Sequence, residues 1–468
     1  MKNRQLLNDT TMIRSTIVHA VCLLAVAATS AFGQGRGVQD RMMFLDYGDR
    51  FHAEAVAIPT ERGDSARIIV MFRLANDFLT FVRNDDRFDI GGNFKAEMSV
   101  SIEVRDSLGV IRQRVPWKDT AYTNTFEETN SKTDFHYGWS SVGVGPGTYV
   151  VSVELLAKKE SQQRKLKLPA LSFNPLSTNS QITQPIFGLP LAKSGGTTVQ
   201  PFIFGGNVSF GAIDAVALLL VSDSTERSYD YIIRQLPYDA RDIRWWAVSE
   251  IQGRLKSRPK QAIELSPSST NDTPLLEIDE RSGTGSVAII EVPIPVTGLV
   301  PGRYEMVLVR VGGSDTMKIA FQILWETMPL SLRTINYGVD ILRYVATADV
   351  HDAIDGGSDA ERREKLMAYW RQQDPTPNTT YNERMAEYYR RVDQAFFIYS
   401  TLAEPDGAHA DRGKIYIFYG PPSNVAKKLA PNNKPVEVWT YSNSVNKTFS
   451  FEVDDKGQYK LKRMNVLK

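Results

Sequence analysis

Apolar and polar residues alternate along much of the first 330 residues, which is the pattern of half-buried antiparallel strands. In the run 96–104, every second residue from Met98 to Val104 is apolar and the residues between them are polar. Alternation or short apolar runs predict further strands at 66–72, 216–221 and 286–292. We find no helical pattern between residues 35 and 173, so this part of the chain is predicted to consist of strands.

A short motif occurs twice, and each copy precedes one of these alternating runs. Pro-Gly-Thr-Tyr ends at Tyr149, and Pro-Gly-Arg-Tyr ends at Tyr304. A tyrosine before a late strand is typical of immunoglobulin-like sandwiches, where its hydroxyl bonds back to the backbone. Two unrelated turns are the alternative. We therefore predict two tandem immunoglobulin-like β-sandwiches at 35–173 and 201–329, with a Pro-, Ser-, Thr-, Asn- and Gly-rich linker at 174–200.

The pattern changes after residue 330, where apolar residues recur at helical spacing. We predict one helix over 359–373, stopped by the prolines that follow it, and a second over 382–402, capped by Asn382. Strands are then predicted at 414–419, 436–441, 449–453 and from 459. This order predicts an α+β domain over 335–465, so the fold class is mostly β with a C-terminal helix-helix-sheet domain.

The apolar surfaces of these C-terminal elements are expected to cover one another. The second helix carries a wide apolar stripe that must be buried for the helix to be stable. The run 414–419 is apolar throughout, so we expect a central strand that is covered on both faces. Five bulky side chains are expected to share the resulting core: Trp370, Tyr389, Phe396, Ile417 and Trp439.

The start of the chain has the layout of a secretory signal peptide, which we assign to residues 1–33. Basic residues precede an apolar run at 17–28, and Ala-Phe-Gly at 31–33 fits a small-x-small cleavage site. An uncleaved membrane anchor is the alternative, although the run is shorter than the ~20 residues that a span needs. We therefore expect an exported protein without a transmembrane span after cleavage, located in the periplasm, at the outer membrane or outside the cell.

Charge and cysteine content exclude several classes of function. The chain has 55 Lys and Arg against 54 Asp and Glu, a net charge of +1, so binding to nucleic acid is not predicted. The only cysteine, Cys22, lies inside the predicted signal peptide. The mature chain would therefore have no thiol for disulfides, nucleophilic catalysis or metal binding.

We find no cofactor motif in the sequence. Five residues separate Gly407 from Gly413 and Ile415 follows Lys414, whereas a phosphate-binding loop has four residues between its glycines and Ser or Thr after Lys. An acidic cluster at 349–355 contains His351, but its spacing matches no established set of metal ligands. We therefore predict a solvated acidic loop there, and we expect neither a cofactor nor a metal.

Several segments of the C-terminal region occur in the order typical of one family. They are Trp-Arg-Gln-Gln-Asp-Pro-Thr-Pro at 370–377, Asn-Glu at 382–383, Tyr-Arg-Arg-Val at 389–392, and the run 411–422 that begins Asp-Arg-Gly-Lys. Together they resemble the GWxTD-domain proteins, which are exported bacterial proteins of unassigned molecular function, and the resemblance covers 335–465. The Gly-Trp-x-Thr-Asp motif of the family matches 407–411, where Ala408 replaces Trp and Ala410 replaces Thr.

Four polar residues are the candidates for a catalytic site: Asp374, His409, Asp411 and Arg412. They would support a hydrolase-like enzyme if they converged in one concave pocket. The alternative for Asp411 and Arg412 is an ion pair or a set of turn hydrogen bonds that fixes the loop.

Our main hypothesis is that the protein is an exported envelope protein and a non-enzymatic binding or structural module. Tandem sandwiches offer edge strands to a partner, which would be another envelope protein or a surface polymer. A hydrolase-like enzyme with its site in the C-terminal domain is the alternative hypothesis. The oligomeric state is left open by the sequence.

Overall fold

The computed structural model describes residues 50–466, apart from 61–63, 87, 90, 157–163, 175–181, 194–195, 222–224, 237–249, 269–272, 280–286, 314–315, 432 and 443–444. The chain divides into two compact units. The sandwich unit contains Asp49–Thr327 and Asn378–Tyr381, and the C-terminal unit contains Met328–Pro377 and Asn382–Lys468. The predicted signal peptide lies outside the described residues. Among the helices that are described, none is long and apolar enough to cross a membrane.

In its described residues, the first half of the sandwich unit contains two sheets, a short α-helix, α1 (Phe126–Thr129), and a 3-10 turn at Asn76–Phe78. Its strands are β1 Phe51–Pro59, β2 Ala66–Ala75, β3 Val82–Arg83, β4 Phe94–Asp106, β5 Ile111–Thr123, β6 Phe135–Val144, β7 Gly147–Leu155, β8 Arg164–Lys167 and β9 Leu171–Phe173. One sheet has the order β1-β2-β6, and the other has the order β3-β4-β7-β8, with β5 paired to β4 and β9 to β7. The predicted alternation in β4 is confirmed, because every second residue from Met98 to Val104 is buried in the core.

The second half of the sandwich unit is also built from strands. They are β10 Ile186–Lys193, β11 Gly196–Pro201, β12 Val208–Ser209, β13 Ala215–Val221, β14 Ser228–Gln235, β15 Ile251–Lys256, β16 Arg258–Pro267, β17 Pro274–Asp279, β18 Val287–Ile294, β19 Gly302–Arg310 and β20 Thr316–Leu324. Six of them close into a barrel in the order β10-β11-β17-β16-β18-β13, and the others form the sheet β12-β20-β19-β14-β15. The linker predicted over 174–200 is therefore wrong in part, because polar composition did not reveal the strands β10 and β11.

The tyrosine corner predicted for each half of the sandwich unit is present. The Tyr149 hydroxyl donates a hydrogen bond to the Gly145 carbonyl oxygen at 3.0 Å. The Tyr304 hydroxyl donates to the Val300 carbonyl oxygen at 2.7 Å. In both copies the acceptor lies four residues before the tyrosine, so the repeated motif builds the same local structure twice.

The two halves share apolar packing, so they form one unit and not two separate bodies. Val56 and Ile58 of β1 and Met71 of β2 belong to the same buried cluster as Leu218 of β13 and Ile289 of β18. The opposite face of β1 packs into the core of the first sandwich. A strand buried on both faces cannot be removed without exposing two apolar surfaces.

In the part that the structure describes, the C-terminal unit contains six α-helices and a 3-10 turn at Leu342–Tyr344, followed by four strands. The helices are α2 Leu330–Arg333, α3 Ile335–Ile341, α4 Ala348–Asp355, α5 Asp359–Gln372, α6 Glu383–Ile398 and α7 Asp411–Tyr419. The strands β21 Asn424–Leu429, β22 Pro435–Tyr441, β23 Lys447–Val453 and β24 Tyr459–Val466 form one antiparallel sheet in chain order. The acidic cluster that we expected in a loop forms α4. Asn382 caps α6 as predicted, because its side-chain oxygen accepts a hydrogen bond from the Met385 N–H at 2.8 Å.

Residues 414–419 lie in a helix, not in the central strand that we expected. The buried residues of α7 are spaced three and four apart, as on one face of a helix: Gly413, Tyr416 and Ile417. A short apolar run is compatible with a buried strand and with a buried helix. Asp411 in the first turn favours a helix start, and Gly420 ends the helix with a left-handed φ of 78°. The five bulky residues that we predicted in the core are all buried.

Candidate functional site

The residues that match the family motif lie at the start of α7. Residues 407–410 form the approach to the helix, and Ala410 is its N-cap residue with an extended backbone. The Lys414 N–H donates the first helical hydrogen bond to the Ala410 carbonyl oxygen at 2.9 Å. Asp411 and Arg412 therefore project from the first turn of α7.

Gly407 and Gly413 each allow the backbone to lie in direct contact with another backbone segment. A Cβ added to Gly413 would overlap the carbonyl oxygen of Gly407. A Cβ added to Gly407 would lie 2.5 Å from the backbone nitrogen of Ser400, after the end of α6. Because the obstructing atoms belong to the backbone, they cannot rotate away, and both positions require glycine.

We expect Gly413→Ala to lower the free energy of unfolding by about 1–3 kcal/mol, as overpacking does in other cores. At an exposed helix position without such a contact, the same change would raise the free energy of unfolding by about 1 kcal/mol. A decrease at Gly413 therefore indicates that the backbone contact is present. Urea unfolding of the full chain measures it, with the exposed Lys414→Ala on the same helix as the control. Equal or greater stability of Gly413→Ala would show that the backbone contact is not needed.

Asp411 connects the start of α7 to β24. Its Oδ2 accepts a hydrogen bond from the Leu461 N–H at 2.9 Å. The pairing of β24 with β23 shifts at this point, since Phe451 pairs with Leu461 and Ser450 with Arg463. The carboxylate thus satisfies a backbone donor at a β-bulge, and it also lies at the positive end of the helix.

Arg412 connects α7 to β22 and β24. Its Nη1 lies 3.1 Å from Glu437 Oε2, and the two side chains are only 13% and 10% exposed. The guanidinium carbon lies 3.9 Å from the ring centre of Tyr459 and 5.2 Å from that of Tyr399. Trp439 Nε1–H donates to the same Glu437 oxygen at 3.3 Å. This arrangement is a buried ion pair with aromatic stacking, and it favours the structural interpretation of Arg412.

A small cleft lies beside Asp411 and Arg412, with Tyr399 and Tyr459 among its lining residues. Its volume is about 10 Å³, which is room for roughly one water molecule. Neither Asp374 nor His409 lines this cleft.

His409 belongs to a separate cluster with residues of α3 and the turn after it. Its Nδ1 lies 2.9 Å from the Tyr344 hydroxyl, and its Nε2 lies 3.2 Å from Asp340 Oδ2. Burial raises the pKa of Tyr344 to about 12, so its hydroxyl is protonated near neutral pH and can donate to the imidazole. The Tyr337 hydroxyl donates to Asp406 Oδ2 at 2.8 Å. Both imidazole nitrogens thus have partners within the domain.

Asp374 lies in the turn that follows α5. Its Oδ1 accepts hydrogen bonds from the Thr376 N–H at 2.9 Å and from the Thr376 hydroxyl at 3.3 Å. This is a local Asx-type turn that ends the helix before the prolines. The structure therefore brings Asp411 and Arg412 together and leaves Asp374 and His409 in two other places.

The partners of these residues were not identified from the sequence. Among these partners, Glu437 has the clearest sequence signal, because its position in the alternating pattern places it on the same face of β22 as the buried Trp439 and Tyr441. A carboxylate at a core-facing position needs a partner, which here is Arg412. No comparable signal marks Tyr344 or Tyr459.

Ala410 stands where the family has threonine, and that position is the N-cap of α7. No side-chain hydrogen bond caps the helix here. A threonine hydroxyl could accept a hydrogen bond from the N–H of Arg412 or Gly413. Ala408, which stands where the family has tryptophan, is completely buried. In this chain, position 410 is therefore a helix cap and position 408 is a packing position.

We expect Ala410→Thr to raise the free energy of unfolding by about 1 kcal/mol, because it restores the missing N-cap. Ala410→Val is the matched control, since valine has nearly the same shape without the hydroxyl. Thermal or urea unfolding of the two variants separates the cap from the added volume. If valine stabilises as much as threonine, the position does not act as a cap.

Across the part of the chain that the structure describes, no group of three or more His, Cys, Asp and Glu residues could hold a metal ion. His351 lies on α4, where its Nδ1 is 3.6 Å from Asp352 Oδ1.

Comparison with known proteins identifies one domain. Residues 307–468 match the family described as the GWxTD domain, and no curated protein matches the chain. The match begins within β19, earlier than the boundary at 335 that we predicted, and it includes the whole C-terminal unit. The chain is a GWxTD-domain-containing protein.

Proposed function

We propose that the protein is an exported component of the bacterial envelope and that its GWxTD domain is a non-enzymatic binding or structural module. The observation that carries this proposal is that the motif residues make their contacts with other residues of the same domain. Asp411 bonds Leu461, Arg412 pairs with Glu437, and the two glycines form a backbone contact. The adjoining cleft of about 10 Å³ is far below the ~300–1,000 Å³ of ligand sites.

An exposed apolar surface supports the binding role. Phe397 and Ile398 at the end of α6 are 40% and 56% exposed, and Leu402 shortly after them is fully exposed. We call these three residues the α6 face. These residues lie close together along the chain, and a contiguous exposed apolar patch is typical of a protein interaction site. The predicted partner is another envelope protein or a surface polymer.

The test is photo-crosslinking in the source bacterium. A photoreactive phenylalanine at Leu402 should give a reproducible adduct with an envelope component, and the same residue at the exposed Ala368 on α5 should not. Ile398→Lys combined with a probe at Leu402 should abolish the adduct. If the probes at 402 and 368 give the same products, the α6 face is not a specific binding surface.

The hydrolase hypothesis stays a separate prediction with its own test. Its four candidate residues do not line one cleft, so no arrangement of acid, base and nucleophile can be derived from them. Purified protein would have to hydrolyse a chromogenic ester, glycoside or peptide, and Arg412→Lys would have to abolish turnover while the protein remained folded.

Export is tested by the N-terminus of the protein in cells. Because the predicted cleavage site ends at Gly33, mass spectrometry of the envelope fraction should find an N-terminus at or near Gln34. Recovery of the intact N-terminus in membranes would instead support an anchor.

A further inference from the structure

A much larger cleft lies in the sandwich unit, between its two halves. Its volume is about 450 Å³, within the range of ligand-binding sites. One wall is formed by consecutive residues of β1, from Phe51 to Val56. The segment 166–169 and the start of β10 form other walls. We call this space the β1 cleft.

The β1 wall of the cleft is an open sheet edge. Within the described chain, β1 pairs with β2 alone and ends its sheet. The Ala75 N–H donates to the Arg50 carbonyl oxygen at 2.9 Å, which fixes the alternation of the antiparallel ladder. By this alternation, Phe51, Ala53 and Ala55 direct their N–H and C=O groups away from β2. The cleft thus presents a row of backbone donors and acceptors.

Glu54 supplies a carboxylate on the same wall. Its Oε1 accepts hydrogen bonds from the Phe204 N–H at 2.7 Å and the Gly206 N–H at 2.8 Å. Among the residues that the structure describes, Glu54 has no direct ion pair: the charge of nearby Arg73 acts to lower its pKa, but the Arg73 guanidinium pairs with Glu326. Burial raises the pKa of Glu54, so a cationic group placed beside it would relieve the cost of ionisation.

We propose that the β1 cleft binds an extended peptide segment of a partner protein, which adds to β1 as a further strand and directs a basic side chain towards Glu54. The wall of six residues is about 20 Å long at ~3.3 Å per residue, enough for a short strand. Main-chain hydrogen bonds to the edge supply affinity, and alternate side chains supply specificity. Leu168 and Ile186 offer apolar contacts to the flanking side chains. This site is independent of the α6 face.

The probe is the fluorescent peptide acetyl-Val-Thr-Val-Lys-Val-Thr-amide, titrated into the full chain by fluorescence anisotropy. Two control peptides carry Glu in place of Lys, or methyl groups on alternate backbone nitrogens. We expect each control to bind about tenfold more weakly or not at all, because it loses the charge-assisted bond or the strand hydrogen bonds. Amide exchange at Ala53 and Ala55 should slow when the parent peptide binds.

A pair of variants locates the site. Ala320→Trp places a bulky side chain at an exposed position that lines the cleft, and it should weaken binding about tenfold. Gln322→Trp, two residues further along β20 and outside the lining, should not. Absence of binding by the parent peptide, or equal binding by the methylated one, would overturn the proposal. Dimerisation of the free chain that protects Ala53 and Ala55 would assign the cleft to a second copy.

Discussion

Arg412→Met is expected to lower the free energy of unfolding by about 3–5 kcal/mol, because removal of one partner leaves a buried charge without compensation. The charge left behind is Glu437, whose side chain is only 10% exposed. The variant also loses the stacking of the guanidinium on Tyr459. Urea unfolding of the full chain, followed by tryptophan fluorescence, measures the change.

Lys414→Met is the control for the loss of a positive charge from the same helix. Lys414 is exposed and its ion pair with Asp411 at 3.7 Å is a surface pair, so its replacement should change stability by no more than about 1 kcal/mol. If Arg412→Met were as stable as the unmodified protein, the ion pair would have no structural role, and Arg412 would again be a candidate for chemistry.

Phe396→Ala is expected to cost about 3–5 kcal/mol, as other large truncations in cores do. Phe396 is 1% exposed on α6, and its ring packs edge-on against Tyr337 of α3 at 6.0 Å between ring centres. The change therefore leaves a cavity between two helices of the C-terminal unit. Urea unfolding of the variant is compared with that of the unmodified chain.

Glu364→Ala on α5 is the surface control for Phe396→Ala, and it should stay within about 0.5 kcal/mol of the unmodified protein. Glu364 is preferable to Glu387, since Glu387 bonds both Arg390 and Arg391. Equal stability of the Phe396 and Glu364 variants would mean that the apolar stripe of α6 does not form the core.

Local signals predicted the parts of the fold that depend on neighbouring residues. Each tyrosine corner requires only a tyrosine, the backbone carbonyl four residues before it and a strand after it. Both corners are present in the structure. The cap at Asn382 depends on a residue three positions away. Polar composition, in contrast, gave a linker where β10 and β11 lie, because barrel strands can carry Gly, Pro and Thr.

The candidate site shows why tertiary partners are harder to predict. The sequence drew attention to Asp411 and Arg412, yet their roles depend on Leu461 and Glu437, which lie 50 and 25 residues away. The same limit explains the assignment of 414–419 to a strand, since an apolar run does not specify which neighbours will cover it. His409, inside the motif, likewise contacts Tyr344, which lies 65 residues away, whereas Asp374 is held by Thr376 within its own turn.

The replaced motif positions have a simple physical interpretation. A buried Ala408 and an N-cap at Ala410 are places where a tryptophan and a threonine would pack and cap. This chain keeps Gly407, Asp411 and Gly413, whose contacts hold α7 against α6 and β24.

The ion pair of Arg412 and Glu437 links the motif region of α7 to β22 and has a structural role. A double-mutant cycle of these two residues tests this role most directly. Unfolding is measured for Arg412→Met, Glu437→Leu and the combination of both. We predict that each single change costs about 3–5 kcal/mol and that the double change costs less than either, because no unpaired charge remains. Two single changes that each cost under about 0.5 kcal/mol and simply add would contradict the claim.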